Sequence, residues 1–171
     1  MSAEREFVPL GIAVLTVSDT RTPETDRSGQ LIRELSEAAE HRIVRYQLLP
    51  DDPEQIEATL TEFLNDPALD VLITNGSTGI SARDTAYEVV TKLLEKRLDG
   101  FGELFRSLSY EEIGSSAMLS RAVAGIANCK VIFSMPGSSN AVRLGMTKLI
   151  LPQIGHLIKE LSKHDPPQAR A

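Results

Sequence analysis

The sequence predicts a three-layer α/β/α domain on a mainly parallel, mixed sheet. Near-continuous apolar, β-rich runs alternate three times with helical patterns in the first part of the chain. Such alternation implies right-handed crossovers and helices on both faces of the sheet. Two later apolar runs meet at Asn128, which adds a hairpin at the sheet edge. At 171 residues the chain is read as a single domain, 1–171, long enough to bury a real core. That core is expected over about 9–162, with flexible ends at 1–8 and 165–171.

The elements follow in order. Gly11 to Val17 is almost wholly apolar, as suits a central strand buried on both faces. The polar stretch Ser18 to Thr25 is a long loop, a common place for function in a compact domain. Asp26 reads as the N-cap of a helix to about Ala39, with Leu31, Ile32, Leu35 and Ala38 on one stripe. Arg42 to Leu49 is a second strand, ended by Pro50-Asp51-Asp52-Pro53, and Pro53 opens a helix to about Leu64 with Ile56, Leu60, Phe63 and Leu64 inward. Val71 to Thr74 is a third strand, followed by the small-residue turn Asn75 to Gly79. Asp84 or Thr85 then caps a helix carrying Val89, Val90, Leu93 and Leu94. A helix over Glu103–Glu112 and strands over Met118–Ile126 and Lys130–Phe133 come next. Helical segments from about Ala141 to Leu161 close the fold, with Pro152 kinking or starting one of them.

Composition removes several function classes. The formal charge is −6, from 18 Lys+Arg against 24 Asp+Glu, which argues against a nucleic-acid partner because phosphate neutralisation needs clustered cations. A small anionic substrate stays open, since one local site can hold it against the net charge. With one cysteine, Cys129, neither a disulfide framework nor a cysteine-rich zinc site can be built. No apolar run approaches the roughly 20 residues of a membrane span and no secretory leader is visible. A cytoplasmic setting without membrane contact is therefore expected.

Ligands of open parallel sheets bind outside the carboxyl ends of the strands. Four polar loops fall there: Ser18-Asp19, Pro50-Asp51-Asp52, Asn75-Gly76-Ser77-Thr78-Gly79 and Pro136-Gly137-Ser138. Gly76 and Gly79 permit positive φ, and successive amides in such a turn form a nest for an anion, typically phosphate. A plain tight turn fits equally well, and neither a Walker A loop nor Gly-x-Gly-x-x-Gly is present. Asp84, Asp51 and Asp52 have two readings each, as helix caps or as carboxylates able to hold Mg²⁺ with phosphate oxygens. Ser138 reads as a cap or as a donor to a second anion, and Asp19 as a loop cap or a nucleotide contact. His41, His156 and His164 are scattered and are read as surface residues, and Cys129 as incidental in the hairpin turn.

In chain order, Leu15-Thr16-Val17-Ser18-Asp19, Asp26-Arg27-Ser28-Gly29, Pro50-Asp51-Asp52, Asn75 to Gly79 with Arg83-Asp84, Leu119 to Gly125, and Met135-Pro136-Gly137-Ser138 with Ala141-Val142 together resemble the molybdenum cofactor biosynthesis family of MoaB, Mog and gephyrin-like G domains. The stretch Gly100 to Arg106 with Glu111 to Gly114 is most similar to the MoaB branch. The resemblance implies binding of molybdopterin and transfer of AMP to its phosphate from Mg-ATP, releasing pyrophosphate. It also implies a trimer or dimer of trimers, and other proteins of the same pathway as partners. Asp51 and Asp84 would be the catalytic and Mg²⁺-binding carboxylates. Gly76, Ser77, Thr78, Gly79 and Ser18 would bind molybdopterin, and Asp19, Ser28, Pro136, Gly137 and Ser138 the nucleotide. Two positions depart from the family pattern: Ser77 stands where a second glycine is usual, and Ala86 where a threonine is usual. Serine is costly if that turn position needs positive φ. A non-catalytic molybdopterin carrier, and a nucleotide pyrophosphatase on the related competence-damage domain, are the alternatives.

Overall fold

A computed structural model describes residues 6–164. The expected frayed tail, 165–171, lies outside them, as does most of the N-terminal end. The strands are β1 (Gly11–Val17), β2 (Arg42–Leu49), β3 (Val71–Asn75), β4 (Lys96–Arg97), β5 (Val123–Ala127) and β6 (Lys130–Met135). They form one six-stranded sheet in the order β2-β1-β3-β6-β5-β4. β2, β1, β3 and β6 are parallel, β5 runs antiparallel to β6, and β4 is antiparallel to β5.

Strand β1 shows why the sheet sits inside. All of its residues are buried, and they alternate between two separate cores. Ile12 and Val14 join one; Ala13, Leu15 and Val17 join the other. The first core is completed by α1 (Arg27–Ala38), α4 (Asp99–Ile113), α5 (Ser139–Gly145) and α6 (Leu151–Leu161), through Ile32, Phe105, Val142 and Ile154. The second is covered by α2 (Pro53–Leu64) and α3 (Ala86–Leu93), through Ile56, Leu60, Phe63 and Val90. The result is the expected α/β/α sandwich. Each fully buried aliphatic side chain contributes about 1.5–3 kcal/mol, so a strand buried on both faces anchors the whole.

Local chemistry sets the element ends. The Asp26 side chain accepts the Gly29 amide at the start of α1, and Asp52 accepts the Glu54 and Gln55 amides at the start of α2, where Pro53 opens the helix. The β5–β6 hairpin turns through Asn128 and Cys129, both at positive φ (47° and 58°), as a tight hairpin requires. A wide π turn, Met146–Ile150, joins α5 to α6. It lies just ahead of Pro152, which has no N–H to offer the carbonyl four residues back and whose ring crowds that position. Pro152 itself sits in the first turn of α6.

Three sequence expectations are corrected. No strand covers 118–122: residues Gly114–Leu119 form a 3₁₀ helix, and the strand begins at Val123. Met118 and Leu119 are apolar but exposed, so they imitated a strand without having a core to face. The helix expected over 103–112 runs from Asp99 to Ile113, and two-residue β4 precedes it. His41 is buried, not on the surface, and its Nδ1 accepts the Leu10 amide at 3.1 Å. Among the described residues no helix is long and apolar enough to cross a membrane.

Candidate functional site

Because β1, β2, β3 and β6 are parallel, the loops after them meet at one rim of the sheet. They are also bonded to one another. The Ser18 amide donates to the Leu49 carbonyl (2.9 Å) and the Asp51 amide to Asp19 Oδ1 (3.0 Å), tying the loops after β1 and β2. Arg83 closes on the same Asp19 carboxylate at 2.7 and 3.1 Å, and that guanidinium holds the Asp19 carboxyl below the usual carboxylate range. On the far side the Gly76 amide donates to the Met135 carbonyl, and Gly137 lies so near Gly76 that a Cβ on it would come within 3.1 Å of the Gly76 Cα. Arg21 and Ser28 both donate to the Gly137 carbonyl, joining the loops after β1 and β6.

The turn after β3 is left-handed at two successive residues. Gly76 (φ 90°) and Ser77 (φ 58°) are both in that region, and successive amides of such a small-residue turn can serve an anion. Among the described residues, the amides of Ser77, Thr78 and Gly79 donate to no protein acceptor. The Ser77 side chain is the hub of the turn. Its hydroxyl donates to Asp51 Oδ2 and accepts the amides of Thr85 (2.9 Å) and Ala86 (3.0 Å).

Asp51 is buried, and its Oδ1 accepts both the Thr85 hydroxyl (2.6 Å) and the Thr85 amide (3.2 Å). It is therefore not a helix cap; Asp52 has that role. Asp84 caps no helix either. Its Oδ2 takes the Ser81 hydroxyl (2.8 Å) and amide (3.1 Å), and the carboxylate lies against Gly79, where a Cβ would meet Oδ2 at 2.5 Å. Thr85 holds the N-cap position of α3 but makes no side-chain cap bond. Asp51 and Asp84 thus flank the turn, one holding its Ser77 end and the other lying against its Gly79 end. Asp19 is a loop tie. Ser28 is fully buried with its hydroxyl shared between Arg21 and the Gly137 carbonyl. Ser138 caps α5 by accepting the Ala141 amide. Ser18 closes its own loop by accepting the Thr20 and Arg21 amides.

An open cavity of about 460 Å³ lies beside Asp51, lined by Pro50, Asp51, Asp52, Pro53, Glu54 and Arg83. Its acids outnumber its one guanidinium, which suits an anion that arrives with a cation. Among the described residues no three acids, histidines or cysteines converge to chelate a metal unaided. Mg²⁺ commonly takes one or two carboxylates and completes its shell with phosphate oxygens and water. The donor set fits that pattern: among the described residues Asp84 Oδ1 accepts no bond, and Asp51 Oδ2 accepts one.

Sequence alone assigned no role to Arg121, which the fold brings to the turn after β3. Its Nε donates to the Thr78 carbonyl at 2.9 Å and its Nη2 to the Gly79 carbonyl. It pairs with Glu88 and stacks on Tyr87, 4.5 Å from the ring centroid. Its place in the Leu119–Gly125 run was the only signal.

A doubly covered α/β sheet whose parallel strands gather their polar loops at one carboxyl rim defines the class: a three-layer α/β domain of the open-sheet kind. The chain matches the family described as "Probable molybdopterin binding domain" over residues 13–156, and it belongs to that family. It is 54% identical over 151 residues to molybdenum cofactor biosynthesis protein B of Bacillus cereus, covering 88% of this chain and 89% of that one. A crystal structure of a molybdenum cofactor biosynthesis protein B superposes with a TM-score of 0.88 at 52% identity, over 90% of this chain and 96% of that one. The tungsten cofactor synthesizing protein MoaB of Pyrococcus furiosus gives a TM-score of 0.81 at 37% identity, over 90% and 97%.

Proposed function

We propose that this chain acts in molybdenum cofactor biosynthesis, binding molybdopterin and transferring AMP to its phosphate from ATP. One observation carries the reading: three successive amides without an acceptor among the described residues, in a left-handed turn flanked by Asp51 and Asp84. The names of the relatives support the pathway. In the step, a phosphate oxygen of molybdopterin attacks the α-phosphorus of ATP. The bond from that phosphorus to the bridging oxygen breaks, and pyrophosphate leaves with the electron pair.

Such transfers need positioning and charge neutralisation more than a covalent nucleophile. The amides of Ser77, Thr78 and Gly79 hold the molybdopterin phosphate, with Ser18 at the mouth. Asp19, Pro136, Gly137 and Ser138 wall the nucleotide, and buried Ser28 braces that wall from behind. Mg²⁺, bound by Asp84 and Asp51, would supply neutralisation of the triphosphate charge. An ATP donor belongs to a cytoplasmic setting. The reading includes a homo-oligomer, a trimer or dimer of trimers. Exposed Leu104, Tyr110, Ile113, Met118 and Leu119 on α4 and the 3₁₀ turn support an apolar contact, and a strict monomer in light scattering would remove that part.

A second reading, a carrier without catalysis, is favoured by one feature: Asp51 already accepts three bonds from Ser77 and Thr85. The test mixes the protein with molybdopterin, Mg²⁺ and ATP and quantifies adenylylated product and pyrophosphate beside Asp84→Asn. Product from the wild type alone is expected. Tight molybdopterin binding without product from either would select the carrier.

A further inference from the structure

We propose that Arg121 is the positioning residue that sets the direction of the anion loop; this rests on the phosphate-binding reading of that loop. In a peptide unit the C=O and the following N–H point to opposite sides. Holding the Thr78 and Gly79 carbonyls therefore aims the Gly79 and Ile80 amides away from Arg121. Without that hold a peptide beside glycine flips at little cost. The guanidinium suits the task because its planar fork engages two carbonyls while a third edge engages Glu88.

Arg121 is itself held in place. Glu88 and the Tyr87 ring beneath it belong to the first turn of α3. The Ala86 amide of that same turn and the Thr85 amide just before it both donate to Ser77. Helix α3 thus fixes both ends of the loop, through Ser77 at one and Arg121 at the other. The Arg121 charge is balanced by Glu88, so its effect on an anion is geometric. This separates it from an ordinary phosphate-binding arginine, whose charge would act directly.

The experiment titrates ¹⁵N-labelled protein with inorganic phosphate, following the amide signals of Ser77, Thr78, Gly79 and Ile80, and compares Arg121→Lys, Arg121→Met and Glu88→Gln. The wild-type signals are expected to move. Both Arg121 variants are expected to bind phosphate roughly tenfold more weakly or worse, as small misplacements of a site commonly cost. In turnover the KM for molybdopterin rises while that for ATP holds. Glu88→Gln separates geometry from charge and keeps both carbonyl bonds in case the Arg121 variants fold poorly. The geometric role expects unchanged or weaker binding, and a charge role expects tighter. Arg121→Lys binding phosphate as tightly as the wild type overturns the proposal, as does tighter binding by Glu88→Gln. Wild-type loop signals indifferent to phosphate overturn it too, whether or not the enzyme turns over. Binding that is lost in the Arg121 variants of a protein making no adenylylated product keeps the proposal and removes only the AMP-transfer reading.

Discussion

Ser77 and Asp51 meet between the loops after β3 and β2, the serine hydroxyl donating to the carboxylate while accepting the first amides of α3. The helix is therefore capped from across the turn. Thr85, at its N-cap position, spends its own hydroxyl on Asp51. One serine joins a loop, a helix start and a buried acid.

Ser77→Ala removes the acceptor for two amides and one donor to buried Asp51. Unsatisfied buried groups cost about 1–3 kcal/mol, and the variant is expected to lose about 2 kcal/mol in denaturant unfolding. Ser77→Gly loses the same bonds but relieves the left-handed φ of 58°, which recovers about 1 kcal/mol. The expected order of stability is wild type, Gly, Ala; an alanine variant as stable as the wild type would contradict the hub role, and one as stable as the glycine variant would contradict the backbone strain.

Asp84→Asn keeps an oxygen for the Ser81 donors, so melting should stay within about 2 °C of wild type, as for most substitutions that break no buried contact. Pyrophosphate release should fall by about a hundredfold or more. Gly79→Ala is expected to copy this loss without unfolding, because the added Cβ displaces the Asp84 carboxylate. Full turnover in Gly79→Ala would uncouple Asp84 from the reaction.

Burial holds the His41 pKa below its ordinary value, with Asp70 opposing more weakly. Its Nδ1 must stay unprotonated to accept the Leu10 amide. The unfolded chain therefore takes up a proton first, near pH 6.5. The stability held by neutral His41 is full above that value and is lost as pH falls toward the lower folded pKa. Unfolding free energies measured from pH 7.5 to 5 should decline for wild type. His41→Asn, whose amide oxygen can accept the same bond, should lose this component; an unchanged slope would assign the decline to other groups.

Tyr46→Phe should destabilise by about 1–3 kcal/mol. The phenol donates at 2.6 Å to Asp26, a carboxylate 1% exposed. Burial and the neighbouring Asp26 push the Tyr46 phenol up, keeping it protonated as a donor. Chemical denaturation of the two proteins would measure the loss, and equal midpoints would mean Arg21 and Gly29 suffice for Asp26.

The central layer was legible because its chemistry is local. The β1 run, the Arg42–Leu49 strand, the Asp26 cap and the Pro53 helix start each follow from residues adjacent in sequence. Two-residue β4 carries no period to detect, and exposed Met118 and Leu119 imitate a buried pair. In the site, the turn after β3 was legible from Gly76 and Gly79. The possible strain at Ser77 was legible from its type, and is realised. The roles of Asp51 and Arg121 were hidden, because their partners lie 26 to 34 and 42 to 43 positions away. Arg121 moreover reads backbone carbonyls, which any residue supplies. His41 was misread because an isolated histidine shows nothing of the amide it will accept.

The bonded rim has a consequence for timing and heat. With the loops after β1, β2, β3 and β6 cross-linked through Asp19, Asp51, Ser77, Gly137 and Arg21, their freedom is surrendered when the chain folds. A ligand then meets walls already in register and has little ordering left to impose, the condition under which contact area converts most fully into affinity.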